Sequence, residues 1–275
     1  MKRIFLITFT ILLVISLSAC DQITPPTEPT QILQTEPAST TESTPLVTVP
    51  TEIEPTEPET TETVPTEPAH SQLYIPGVPV EDVILYFNEV CLDGEFINSG
   101  NASLVQKWTA PIYYSLEGDY TDADLALLND FGQWLNHVEG FPGFYPAENI
   151  MSVNLNIHFC SQQDIVTLLG PNLENMDGGV TFWYDFNKIY NAIICCRRDI
   201  DQHLRNSVLL EEIYNGLGPI QDTSLRPDSI IYQEFSQPQS LTAVDELIIR
   251  LLYHPDILPG MDASQCEQVI RTLYY

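Results

Sequence analysis

Residues 70–275 predict a domain of the α+β class, about 200 residues long and large enough for one core. Two observations carry that expectation. Val153-Asn154-Leu155-Asn156-Ile157-His158-Phe159 alternates apolar and polar residues without a break, the pattern of a half-buried strand. Ahead of it, apolar residues recur at helical spacing, at Val80, Val83, Phe87 and Val90 and again at Leu125, Leu128 and Leu135.

The elements follow in order. The spacing predicts a first helix from Pro79 to Cys91. Lys107-Trp108 leads into a strand at Ile112-Tyr113-Tyr114-Ser115-Leu116. Thr121 is a natural N-cap, with Asp124 three residues on as a weaker form of capping box. The helix it starts runs through Trp134 toward Val138 and is stopped by Gly140-Phe141-Pro142-Gly143. Beyond the alternating strand, a short helix from Gln162 to Leu169 ends at Gly170-Pro171, and Gly178-Gly179 reads as a turn. Val180 to Phe186 and Ile189 to Cys196 are two strands joined by a turn at Asn187-Lys188. A helix is expected from about Leu204 to Leu217, then two more, at Ala243 to Leu252 and Ser264 to Leu273. Pro255 and Pro259-Gly260-Met261 separate that last pair.

The N-terminal part has another character. Lys2 and Arg3 precede a largely apolar run from Ile4 to Leu17, too short to span a membrane as a helix but suited to a signal peptide. It ends in Leu17-Ser18-Ala19-Cys20, which resembles the lipobox of bacterial lipoproteins. That resemblance implies a signal peptide over residues 1–19 and a lipid on Cys20. The lipid makes the membrane a partner and places the protein outside the cytoplasm, anchored to the bacterial cell membrane. Residues 20–69 are dominated by Thr, Pro and Glu, with Pro-Thr-Glu-Pro recurring at Pro26, Pro55 and Pro65. Such a composition has too little apolar surface to offset chain entropy, so a disordered stalk is expected. At about 3.1 Å per residue it would reach roughly 150 Å fully extended.

The chain carries 10 Lys and Arg against 38 Asp and Glu, a formal net charge of −28. Nucleic acid is therefore excluded as an expected partner, because binding it requires cations against phosphates. Besides Cys20 there are Cys91, Cys160, Cys195, Cys196 and Cys266, without C-x-x-C spacing. An odd number leaves at least one thiol without an internal disulfide. The pairing of the rest is open, and Cys195 and Cys196 are expected as buried thiols facing opposite sides of a strand.

The chemistry concentrates at Leu210-Glu211-Glu212-Ile213-Tyr214-Asn215-Gly216-Leu217-Gly218-Pro219-Ile220-Gln221-Asp222. Residues four apart share a helix face, so positions 211 and 215 can address one point. Gly218 would let the chain turn at the helix end and bring 221 toward it. The spacing is similar to the metzincin signature H-E-x-x-H-x-x-G-x-x-H, with Glu211, Glu212, Asn215, Gly218 and Gln221 in its five fixed places. All three histidine positions hold other residues, and neutral amides are poor zinc donors. No cofactor is expected, zinc least of all.

More of the chain resembles the bacterial domain-of-unknown-function family 2927. That family reads E-E-x-x-Q-x-L-G-x-x-x-D at this helix and is related to zincin-like metallopeptidases whose histidines it lacks. Glu211-Glu212, Leu217-Gly218 and Asp222 match, and Asn215 stands for the glutamine. The likeness continues through Lys107-Trp108, Leu135-Asn136, Pro227-Asp228-Ser229-Ile230, Asp245, Leu251-Leu252-Tyr253 and Pro259-Gly260-Met261. It implies a zincin-like fold, with a twisted mixed sheet, the motif helix beneath it and Met261 at the place of a floor-forming turn. The expected function is binding of a peptide or cell-envelope component by a degenerate, non-catalytic groove. A peptidase-like hydrolase with an acidic site at Glu211 and Glu212 is the alternative the same residues leave open, and a purely structural envelope role is a third.

Overall fold

One sheet of six strands organises the domain, and every pairing in it but one is parallel. The computed structural model describes residues 73–92 and 104–275. The expected signal peptide (1–19), Cys20 and the stalk (20–69) lie outside the described residues. No helix among the described residues is long and apolar enough to cross a membrane.

In chain order the elements are α1 (Val80–Leu92), β1 (Lys107–Trp108), β2 (Ile112–Gly118), α2 (Asp122–Leu135), β3 (Phe144–Pro146), β4 (Leu155–Cys160), α3 (Gln162–Leu169), β5 (Gly178–Asp185), β6 (Lys188–Arg197), α4 (Gln202–Gly216), α5 (Ala243–Tyr253) and α6 (Ala263–Leu273). The sheet runs β3-β2-β4-β6 in parallel, with β5 antiparallel beside β6. Because β5 pairs along one edge of β6, the other edge is shared. β1 takes Lys188 and Ile189, and β4 takes over from Ala192.

This is a mixed α/β architecture with a mostly parallel sheet and, among the described residues, six α-helices. The element types match the α+β expectation, but its grouping conceals parallel pairing. Parallel neighbours need long crossovers, and α2 lies between β2 and β3 while α3 and β5 lie between β4 and β6.

Local signals explain most boundaries. Thr121 and Asp124 form a full reciprocal capping box, and Ser161 with Asp164 and Thr242 with Asp245 do the same for α3 and α5. Along β4, Leu155, Ile157 and Phe159 enter the main core, while Asn156, His158 and Cys160 occupy the other face. Neighbouring Cys195 and Cys196 divide as expected. Cys196 joins the main core, and Cys195 joins a smaller cluster with Ile165 and Leu173. All five described cysteines are free thiols.

Two expectations need correction, and one strand was not foreseen. Gly178-Gly179 is not a turn but the start of β5, where Val208 and Leu173 press so closely that only glycine fits. The turn joining β5 to β6 is Phe186-Asn187, one residue earlier than Asn187-Lys188, with both residues at positive φ (47° and 61°). β3 was not legible, since Phe144-Tyr145-Pro146 is too short for a period and becomes a strand only beside β2.

Candidate functional site

Glu211, Glu212 and Asn215 lie on α4, which is buried all round from Ser207 onward. Asp201 caps it by accepting from the His203 and Leu204 amides. One turn on, Arg205 Nε donates to Asp124 Oδ1 at 3.1 Å in an almost fully buried pair that docks α4 on α2. Every residue from Ser207 to Gly216 is buried. A helix buried on all sides is ordinarily apolar, yet this one carries Glu211, Glu212 and Asn215 at 6%, 3% and 3% exposure. Burying carboxylates and amides is costly unless the surroundings are built for them. The two acids stand in the third turn, so their place is not explained by a favourable helix N-terminus.

Glu212 faces the sheet. A Cβ placed on Gly178 would lie 2.9 Å from Glu212 Oε1 and 2.4 Å from Val208 Cγ1, so β5 approaches α4 backbone-first. On the neighbouring strand, burial pushes the Cys196 thiol well up, and the charge of Glu212 adds to it. Cys195 is pushed up first by its hydrogen bond with Cys160, then by burial, with Glu212 again contributing. Glu211 projects about 100° away around the helix, on the side it shares with Asn215. Asn215 Oδ1 is buried and accepts no hydrogen bond among the described residues.

The rest of the predicted set divides. Gly218 makes the expected turn, at φ +128°, and a Cβ there would meet the Gln106 carbonyl at 2.4 Å. Beyond it, the Gln221 amide donates to the Val90 carbonyl at 3.2 Å, so Gln221 and Asp222, both half-buried, are placed by the end of α1. Met261 belongs to the loop between α5 and α6. Its carbonyl accepts from the Val105 amide at 2.9 Å, and the Leu258 amide faces its sulfur at 3.3 Å. Gly218 and Met261 thus abut adjacent residues of one segment, Gln106 and Val105. The structure buries Glu211, Glu212 and Asn215 on one helix and puts Gly218 and Met261 at its far end. His203 is exposed at its start.

Among the described residues, no three or more His, Cys, Asp and Glu side chains stand close enough to hold a metal ion.

Around this helix lies a set of fasteners. Trp108 Nε1 donates to the Gly216 carbonyl at 2.9 Å and Tyr253 OH to the Leu217 carbonyl at 2.7 Å, which satisfies two acceptors at the end of α4. Lys107 Nζ does the same for Leu252 and Ile257. Ser229 Oγ donates to the Asp245 carboxylate at 2.7 Å, and Asn136 brackets Phe144 with two bonds. The family model for a protein of unknown function, DUF2927, matches residues 81–272. The chain belongs to this family. A comparison with curated proteins finds no match. In this DUF2927 member, Lys107, Trp108, Asn136, Ser229, Asp245 and Tyr253 are engaged in hydrogen bonds between elements. Trp108 and Tyr253 fasten the end of α4 and the others fasten neighbouring loops and strands, roles that sequence reasoning missed because most of the partners are not local.

Proposed function

We propose that this DUF2927 domain is zincin-like and binds an extended peptide or cell-envelope component without hydrolysing it, from an extracytoplasmic position set by a lipid on Cys20. The observation that carries the reading is the buried trio Glu211, Glu212 and Asn215 on α4, of which Glu212 lies against the antiparallel edge strand β5. An edge strand offers backbone donors and acceptors to an incoming extended chain, and strand addition is the expected mode. The motif helix beneath a mixed sheet, and the positive φ at Gly218, support the zincin-like assignment.

The residues present do not fit zinc. Positions 211, 215 and 221 supply one carboxylate and two amides, and amides are poor zinc donors. Gln221 is moreover tied through its backbone to α1. No catalytic step is therefore assigned to a metal. The alternative hydrolase would need Glu211 and Glu212 to act as acid and base on one bond, and their divergence around the helix opposes direct pairing.

The test is a peptidase screen and a peptide-array binding measurement on the full chain, each repeated with Glu212→Gln, together with elemental analysis. Saturable binding with no turnover and no bound metal supports the proposal. Proteolysis abolished by Glu212→Gln, or stoichiometric zinc, overturns it in favour of the hydrolase.

A further inference from the structure

A groove lies at the other end of β5 from Gly178 and Glu212. β6 has a gap on the edge it shares between β1 and β4: β1 pairs as far as Ile189 and β4 begins at Ala192, so among the described residues Tyr190 and Asn191 have no parallel partner. An open groove of about 730 Å³ occupies this gap. On the opposite edge the register passes from Trp183↔Asn191 to Tyr184↔Ile189, which makes Tyr190 an extra, bulged residue. Bulges re-aim side chains, and here Tyr190 is turned out to 55% exposure beside the groove.

The hairpin tip is built against its own stability. A two-residue turn with both φ values positive favours Asn and Gly, yet its first position holds Phe186, at φ 47° and 84% exposed. Neither burial nor backbone preference accounts for that ring. Phe186 and Tyr190 stack on no other ring among the described residues, and with Tyr184 they present apolar faces around one groove.

Charge narrows the ligand. Asp185 and Lys188 are register partners at the rim, so the groove carries one acid and one base. A polyanion is opposed by Asp185 and by a chain of net charge −28. Asp185 and Lys188 offset each other at the rim, so no net local charge selects a cation. Strand addition of a peptide would find only the two unpaired residues, Tyr190 and Asn191, too short a ladder to hold it. What remains is a neutral ligand with both apolar faces and many hydroxyls. Aromatic rings supply contact area at small entropic cost, and a few polar groups fix orientation.

We propose that this groove binds a neutral saccharide chain, with its sugar faces on Phe186 and Tyr190 and its hydroxyls bonded to Asp185 and Lys188. The full chain in a zwitterionic detergent would be titrated calorimetrically with β-1,4-linked tetramers of glucose and of N-acetylglucosamine. Saturable binding of at least one tetramer is expected. Tyr190→Ala and Phe186→Gly should each weaken it tenfold or more, and the unfolding temperature of Phe186→Gly should stay the same or rise, since glycine relieves the turn. No binding of either tetramer at millimolar concentration overturns the proposal, as does binding that both variants retain. A neutral extended peptide that binds in place of the sugars and is lost in Tyr190→Ala overturns it in favour of a peptide site.

Discussion

Gly178 and Glu212 meet across the seam between β5 and α4, where any side chain at 178 would collide. The nearest atoms to a Cβ there are Val208 Cγ1 at 2.4 Å, Glu212 Oε1 at 2.9 Å and the Cys195 carbonyl at 3.1 Å. Val208 is branched at Cβ and held in the core, so it cannot swing aside. Gly178→Ala is expected to destabilise the protein by about 1–3 kcal/mol through overpacking and to displace the Glu212 carboxylate. Chemical denaturation measures the loss. A midpoint equal to wild type would mean that α4 and β5 are not in this contact.

The sequence made α4 legible and hid what surrounds it. Spacing alone brought Glu211 and Asn215 to one helix face, and the turn at Gly218 followed from its residue type. Thr121 and Asp124 announced their cap because both partners lie three residues apart. Phe186 did not announce the hairpin turn, since a bulky residue at positive φ is outside turn chemistry. Gly178-Gly179 suggested a turn because their real cause, Val208 and Leu173, comes from other elements. The fastening of α4 by Trp108 and Tyr253 spans more than a hundred and more than thirty residues respectively. No local pattern encodes such pairs.

Asp245 holds the segment between α4 and α5. Its carboxylate accepts from Tyr86 OH, Ser229 Oγ, the Ile230 amide, the Thr242 amide and Thr242 Oγ1, at 2.7–3.3 Å, and is fully buried. Burial, with the nearby carboxylate, pushes the Tyr86 hydroxyl well above the ordinary tyrosine range, so it remains a donor. Asp245→Ala leaves these donors without their acceptor and should cost about 3 kcal/mol or more. Limited proteolysis should then cut within residues 223–242, where wild type is expected to resist. Equal resistance would show that the segment is held by other contacts, such as those from Glu89 to Thr223 and Ser224.

Among the described thiols, Cys160 is set apart. The Cys195 thiol hydrogen-bonds to it and holds it below the usual thiol range, and it is the one of the five not fully enclosed. Burial raises Cys91 and Cys196 well above that range and Cys266 to about 11. Since the thiolate is the nucleophile, limiting iodoacetamide at neutral pH should alkylate Cys160 before the other four. Peptide mapping by mass spectrometry reads this directly. Cys195→Ala should slow the reaction by removing the donor. Preferential labelling of Cys91 or Cys266 would contradict the burial assigned to α1 and α6.

Lys107 gives the fold a pH dependence of its own. The residue is 6% exposed, and its ammonium donates to the carbonyls of Leu252 and Ile257. Burial lowers its pKa from 10.5 to about 8. Between those two values the unfolded chain holds the proton more tightly than the folded one, so stability gains from rising pH across this window. Below about pH 8 the penalty for the buried charge is present in full. The tyrosines and cysteines also titrate in alkali, but they are shared with a Lys107→Met variant and largely cancel in a difference. Wild-type stability minus that of Lys107→Met, from urea unfolding at intervals from pH 7 to 10.5, should therefore rise steadily above pH 8. A flat difference would mean that Lys107 is solvated enough to keep its ordinary pKa. The two carbonyls at the end of α5 would then be held by a fully charged lysine throughout.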